Sequence, residues 1–337
     1  MSQTKSTLSI GSLVRRPEFG AFVGAVAVYV FFAIAGGEPF LALGGWASWL
    51  NVAAELGIIA LPVALVMIAG DLDLSVGSTL AASSMTLAIT SGFYHLPSWL
   101  GVVFALAVGT GIGLLNGYIV TKTNLPAFVV TLATLFAIQG ITLGLTRALT
   151  GSTSVSFEAD SVVHNMFGIL LGDKFEIAVI WWLIVALIVS WVLYKSIFGN
   201  WIYAIGGDVI SARATGIPVG KVRMFLFAGS GLGAALVGVI QTSLYNSAQV
   251  ANGQSFVFNS IIAVVVGGVL LTGGYGSTIG VILGTFTFAI VNQGIYYTGW
   301  NADWASLILG VLLLIAVLTN NTFRRLALSG AKQKEKK

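Results

Sequence analysis

Long apolar runs separated by short clusters of charge, proline and glycine dominate this chain. Ten of them reach or approach the roughly 20 residues that a helix needs to cross about 30 Å of hydrocarbon. They fall at 19–36, 50–69, 76–94, 99–120, 127–146, 175–194, 224–244, 258–271, 275–297 and 304–319. The eighth is short, and the third is interrupted by Ser78, Thr79, Ser83, Ser84, Thr86 and Thr90. The pattern predicts an all-α membrane protein, a polytopic bundle of about ten transmembrane helices.

Composition agrees. Of 337 residues, 57% are hydrophobic and only 8% are charged, whereas a water-facing domain carries roughly a quarter of its residues as Asp, Glu, Lys or Arg. Zero cysteines exclude disulfides, thiolate metal sites and a cysteine nucleophile, and two histidines leave little for zinc. The 42 glycines follow no fixed period, which suits closely packed spans. Several lie four apart on one helix face: Gly109, Gly113 and Gly117; Gly276, Gly280 and Gly284; Gly140 and Gly144; Gly229 and Gly233. That spacing predicts close helix crossings and excludes a wide pore.

Basic residues near span ends stay in the cytoplasm, and this orients the bundle. With both termini inside, the cytoplasmic segments hold Lys5, Arg15, Arg16, Lys122, Lys195, Arg213, Lys221, Arg223, Arg324, Arg325, Lys332, Lys334, Lys336 and Lys337, out of 16 Lys and Arg in all. Only Arg147 and Lys174 remain outside, in one long loop. The chain divides into a cytoplasmic tail 1–18, a transmembrane domain 19–319 and a basic cytoplasmic tail 320–337. Arg15-Arg16 followed by an apolar run also fits a cleavable signal peptide, but the run is long and the chain continues as membrane spans; an anchor is the expectation. The C-terminal lysines fit a solvated end near anionic lipid, not a nucleic-acid site.

Ionisable groups within a bilayer are functional candidates by default. Glu55 is the clear one. Either it reaches water from one turn inside the external end of its span, or it is protonated, paired or facing a wet cavity. Asp71 and Asp73 precede a helix start, where carboxylates cap free backbone N–H groups; a pair of carboxylates doing acid/base work is the alternative. No His-Glu-x-x-His or Gly-x-Ser-x-Gly pattern occurs, and no metal or cofactor is expected. Gly216-Ile217-Pro218-Val219-Gly220-Lys221 is one residue short of a phosphate loop, and Val222 stands where Ser or Thr is required. Between Asp208 as N-cap and the stop formed by Gly216 and Pro218, a two-turn helix at 209–215 is predicted. Alone it would be marginal in water, so something must pack against it.

These stretches resemble a known family. Gly70-Asp71-Leu72-Asp73-Leu74-Ser75-Val76-Gly77-Ser78 is similar to the signature after the second span in permeases of bacterial ATP-binding-cassette importers for ribose, xylose and related monosaccharides, a group that includes the autoinducer-2 importer. Asn124 to Leu132, the segment from Gly199 through Gly206-Gly207-Asp208, Ala212-Arg213 and Gly216-Ile217, and the runs at 261–268 and 273–277 resemble the same family over about residues 50–320. The resemblance implies two separate ATP-binding subunits, a second permease subunit, identical or paralogous, a periplasmic sugar-binding protein on the external loops (Glu158, Asp160, Asp173), and a bacterial inner-membrane location. It makes 199–223 a coupling loop to the ATPase through Asp208, Ala212, Arg213 and Gly216, and Asp71, Asp73, Ser75, Gly77 and Ser78 a family signature. A sugar path lined by amides would draw on Asn116, Gln139, Gln241, Asn246, Asn259 and Asn292, with Glu55. The chain departs from the family where Phe256 to Asn259 replace an acidic residue and where Glu55 occupies a usually uncharged position. A proton-coupled transporter using Glu55 or Asp73, and a branched-chain amino-acid permease, are the rival readings; the Asp-Leu-Ser-Val-Gly-Ser segment favours sugars.

Overall fold

The computed structural model describes residues 17–123, 125–316 and 318. Asn124, nearly all of the predicted 1–18 tail and the 320–337 tail, with their basic residues, lie outside the described residues. Among the described residues, seven helices are long and apolar enough to span a membrane. In chain order these are α1 (Pro17–Leu41), α2 (Leu43–Ile68), α4 (Ser98–Thr123), α5 (Ala127–Thr150), α6 (Ala178–Lys195), α9 (Val219–Leu244) and α11 (Thr278–Gly294, extended by one 3-10 turn to Tyr297). Between them stand α3 (Val76–Leu87, continuing as a π-helix over Ala88–Phe93), the short α7 (Ile197–Gly207) and α8 (Val209–Ala214), α10 (Gln254–Val266) and α12 (Trp304–Ala316).

The core is α2. Its apolar window is 89% buried, against 22% for α1, α5 and α6, so α2 is wrapped by protein while those three face outward. Pro62 lies inside α2 and deprives the Ile58 carbonyl of its helical donor. Helix α9 meets that carbonyl with Gly233, whose missing Cβ would lie only 2.9 Å from the oxygen. The other close crossing is α4 against α9. A Cβ on Gly109, Gly113 or Gly117 would overlap Gly231 and Ala235, Phe227, or Met224. Of the predicted Gly276, Gly280 and Gly284 row, Gly280 and Gly284 lie on α11 and close on Gly267 and Ala263, whereas Gly276 precedes the helix and meets the side chains of Val269 and Ile68. Gly140 and Gly144 differ: nothing lies within 4 Å of either Cβ position, so that row faces out of the chain.

Three departures from the sequence expectation matter. The first helix breaks at Gly37 (φ 58°, ψ −149°). The protein is not wholly helical: β1 (Ser154–Ser156) pairs antiparallel with β4 (Ser247–Gln249), and β2 (Leu170–Leu171) with β3 (Phe175–Glu176). These strands are too short for an alternating pattern to show in sequence. Finally, α10 has 13 residues, about 20 Å, and stops at Gly267 although the apolar run continues to Leu271.

That stop is one of three built alike. At Gly70, Gly216 and Gly268 the chain turns through φ of 88°, 85° and 90°. Each turn has the paired hydrogen bonds of a Schellman motif: Gly70 N–H to Met67 O (2.9 Å) with Asp71 N–H to Val66 O (3.1 Å), Gly216 N–H to Arg213 O (3.0 Å) with Ile217 N–H to Ala212 O (3.1 Å), and Gly268 N–H to Val265 O (2.9 Å) with Val269 N–H to Val264 O (3.2 Å). Glycine has no Cβ to oppose positive φ, and so α2, α8 and α10 end where they do.

Candidate functional site

The loop after α2 carries the acidic signature, and its two carboxylates do different things. Asp73 is 1% exposed and accepts from the Ser75 N–H (2.9 Å), the Ser75 hydroxyl (2.7 Å) and the Ser230 hydroxyl of α9 (2.7 Å). Asn116 of α4 donates to the Ser75 hydroxyl at 2.8 Å. Asp73 thus satisfies an N–H at the entry to α3 and, through neutral donors, ties α3, α4 and α9 together near the middle of α9. Asp71 does not cap. Its Oδ2 lies 2.7 Å from Arg223 Nε, with both side chains largely buried. Gly77 meets the backbone of Gly253 and the side chain of Val257, so the bare first turn of α3 seats the start of α10. Ser78 hydrogen-bonds back to the Ser75 carbonyl at 2.9 Å.

Glu55 stands well inside α2, which begins at Leu43, and is 8% exposed. The reading that it reaches external water is therefore corrected: Gln241 Nε2 donates to its Oε2 at 2.8 Å, and Glu55 Oε1 is buried without a hydrogen-bond partner. Asn51, one turn earlier on the same face, accepts from the Glu176 N–H at 3.0 Å and donates to the Lys174 carbonyl at 2.9 Å. This pins β3 over α2 and brings Glu176 beside Glu55. Burial pushes the Glu176 carboxyl up to about 7.

Of the predicted path residues, only Glu55 and Gln241 are brought into direct contact. Asn246 follows α9 in a left-handed turn (φ 52°) and its carbonyl accepts from the Phe157 N–H. Asn116 belongs to the Asp73 cluster. Gln139 is half-buried on α5, Asn259 is half-buried on α10, and Asn292 on α11 accepts from its neighbour Gln293 at 3.0 Å. A cavity of about 370 Å³ opens between the end of α9 and the start of α10, with Gln241 in its wall.

At the opposite end of α9, α8 projects from the bundle. Asp208 caps it, accepting from the Ile210 N–H (2.8 Å), the Ser211 N–H (3.4 Å) and the Ser211 hydroxyl (3.0 Å), which holds its carboxyl below the usual range. Ala212 is 3% exposed and faces inward, while Ile210 is 79% exposed and Arg213 and Gly216 are also on the surface. The helix ends at Ala214, one residue before the predicted limit. Just before it, Gly206 of α7 sits in a junction of backbones. A Cβ there would overlap the Ile68 carbonyl oxygen and the Gly274 nitrogen, and the Gly274 N–H itself donates to Ile68 O at 2.8 Å. Three features of the site escaped sequence reasoning: Arg223, counted there only as an inside charge; Glu176, which fell within the predicted 175–194 span and was not singled out; and the Gly206 junction, visible only as part of a glycine-rich motif.

The chain is 31% identical to the ribose import permease protein RbsC of Haemophilus influenzae, over 95% of this chain and 98% of that protein. It is 33% identical to RbsC of Bacillus subtilis over 89% and 92%, and 29% identical to the fructose import permease protein FrcC of Rhizobium meliloti over 90% and 84%. Residues 45–317 match the family described as branched-chain amino acid transport system / permease component. With a match of that extent and relatives aligned along nearly their whole length, the chain belongs to this family of multi-pass membrane permeases.

Proposed function

We propose that this chain is the membrane-spanning permease of an ATP-driven sugar importer in a bacterial inner membrane. The family description spans amino-acid carriers, but the ribose and fructose import permeases named above favour a sugar over a branched-chain amino acid. In this reading the chain crosses the membrane ten times, with both termini inside: the seven long helices, α3, α10 and α12 supply the ten segments. A second permease subunit completes the path, two ATP-binding subunits engage the inner face, and a sugar-binding protein docks on the outer loops, where Glu158, Asp160 and Asp173 are exposed. Hydrolysis belongs to the separate subunits. The segment 216–221 does not imitate a phosphate loop in space: it is the stop of α8 followed by the start of α9.

The observation that carries the coupling role is α8 itself. Six residues could not hold a helix in water, yet this one is capped at Asp208, stopped at Gly216, anchored through Ala212, and presents Ile210 and Arg213 outward. It offers an ATPase a compact knob joined to α9 through the turn at Gly216 and Pro218. Gly216→Val tests it. Nothing lies within 4 Å of a Cβ at Gly216, so the variant suffers only the conformational cost of a β-branched residue at positive φ, about 1–2 kcal/mol, and still inserts. Uptake and sugar-stimulated ATP hydrolysis should both be lost, while Gly216→Asn, which tolerates that backbone, retains them. Wild-type uptake by Gly216→Val would remove α8 from the mechanism.

A further inference from the structure

Helix α3 measures how deep α10 begins. Its far end, at Gly92, abuts Ser156 of β1, whereas its first turn, at Gly77, abuts Gly253 immediately before α10. Because β1 pairs with β4, the chain descends from β4 to Gly253 along most of the length of α3 without forming a helix. The outer part of this span is therefore replaced by loop, and the 370 Å³ cavity occupies that space. Its volume lies within the range of small-molecule sites, roughly 300–1,000 Å³.

The floor of the cavity is the N-terminus of α10, which has no side-chain cap; the Gln254 and Phe256 N–H groups turn back to the Ala251 and Gly253 carbonyls, which leaves the Ser255 N–H as the first-turn donor. Broken helices whose ends face a midplane cavity are a recurrent way to bind solutes in transporters. The walls add neutral polar groups, Gln241, Gln249, Asn252 and Ser255, and two aromatic rings, Tyr245 and Phe256. Among the described residues, no charged side chain lines it. Glu55 acts from behind the wall: its Oε2 accepts the Gln241 N–H, which engages the nitrogen end of that amide and leaves its carbonyl oxygen as the end available to a solute. The Ser255 N–H and hydroxyl at the floor, the amides of Gln241 and Asn252 in the wall and flat apolar faces beside them match a solute whose hydroxyls both donate and accept on a ring with apolar C–H faces.

We propose that this cavity is the subsite where a neutral monosaccharide first binds the permease, with Gln241 reading its hydroxyls and Glu55 positioning Gln241. The assignment of sugar rests on the proposed function; the location of the subsite does not. The chain has no cysteine, so Asn252→Cys places a single thiol in the cavity and Ser152→Cys a single exposed control. Each variant, assembled with its ATP-binding subunits, is labelled with a water-soluble methanethiosulfonate in the presence of D-ribose, D-fructose or L-leucine, and uptake of each solute is measured in parallel. The sugar that the importer accumulates should slow labelling of Asn252→Cys at least fivefold and leave Ser152→Cys unchanged. Adding Glu55→Leu should raise the protecting concentration about tenfold, the loss of one oriented hydrogen bond, and Glu55→Gln should restore it. Equal labelling with and without an accumulated sugar overturns the subsite while leaving the sugar-importer reading intact. Protection by leucine together with leucine uptake overturns the sugar assignment and, with it, that reading.

Discussion

Replacing Gly206 by valine should abolish transport and lower the stability of the assembled permease by about 3 kcal/mol, at the upper end of overpacking costs. The atoms that a Cβ would strike are backbone, the Ile68 carbonyl and the Gly274 nitrogen, and neither can rotate aside. Ile68 ends α2, Gly274 belongs to the loop between α10 and α11, and Gly206 leads into α8. The junction therefore joins the central helix, the α10–α11 loop and the proposed coupling element at one point, held further by the Gly274 N–H to Ile68 O bond. Its neighbour supplies the control: nothing lies within 4 Å of a Cβ at Gly207, and Gly207→Ala should melt and transport as the parent does. The comparison is made by thermal unfolding of the purified complex and by uptake in vesicles. If Gly206→Val kept both properties, the junction would not transmit motion.

Arg223→Leu should be comparably severe. It strands Asp71 as a charge in a largely buried place, and removing one partner of such a pair costs about 3–5 kcal/mol. Arg223 lies on the first turns of α9, shortly after α8, and Asp71 lies two residues from Asp73, so the pair connects the α8 end of α9 to the signature loop. Exchanging the two residues, Asp71→Arg with Arg223→Asp, should recover much of the lost stability, and a double-mutant cycle on melting and uptake measures the interaction. Additive effects of the two single changes would show that the residues act independently.

How much of this was legible beforehand follows the physics of each feature. Apolar length needs no partner to be recognised, so the seven long helices were readable, as were the cap at Asp208 and the stop at Gly216, both of which depend on residues within one turn. The C-terminal end of α10 was misjudged because apolar residues 269–271 continue the run while Gly268 turns the backbone left-handed. The buried polar contacts were out of reach for another reason. Gln241 and Glu55 stand 186 residues apart, and Ser230 and Asp73 stand 157 apart, and nothing local to either residue announces its partner. Glu55 could be singled out as costly in a membrane; that Gln241 and β3 cover it could not. Arg223 looked like an orientation signal because, in sequence, it is one of several basic residues on the inner side.

The most direct test of the central claim reconstitutes the permease in vesicles with and without its ATP-binding subunits, in the presence of the sugar-binding protein. Sugar should accumulate only when the ATP-binding subunits and ATP are both present, and an ionophore that collapses ion gradients should leave accumulation unchanged. Accumulation by the permease alone, driven by a proton or sodium gradient and abolished by the ionophore, would contradict the account.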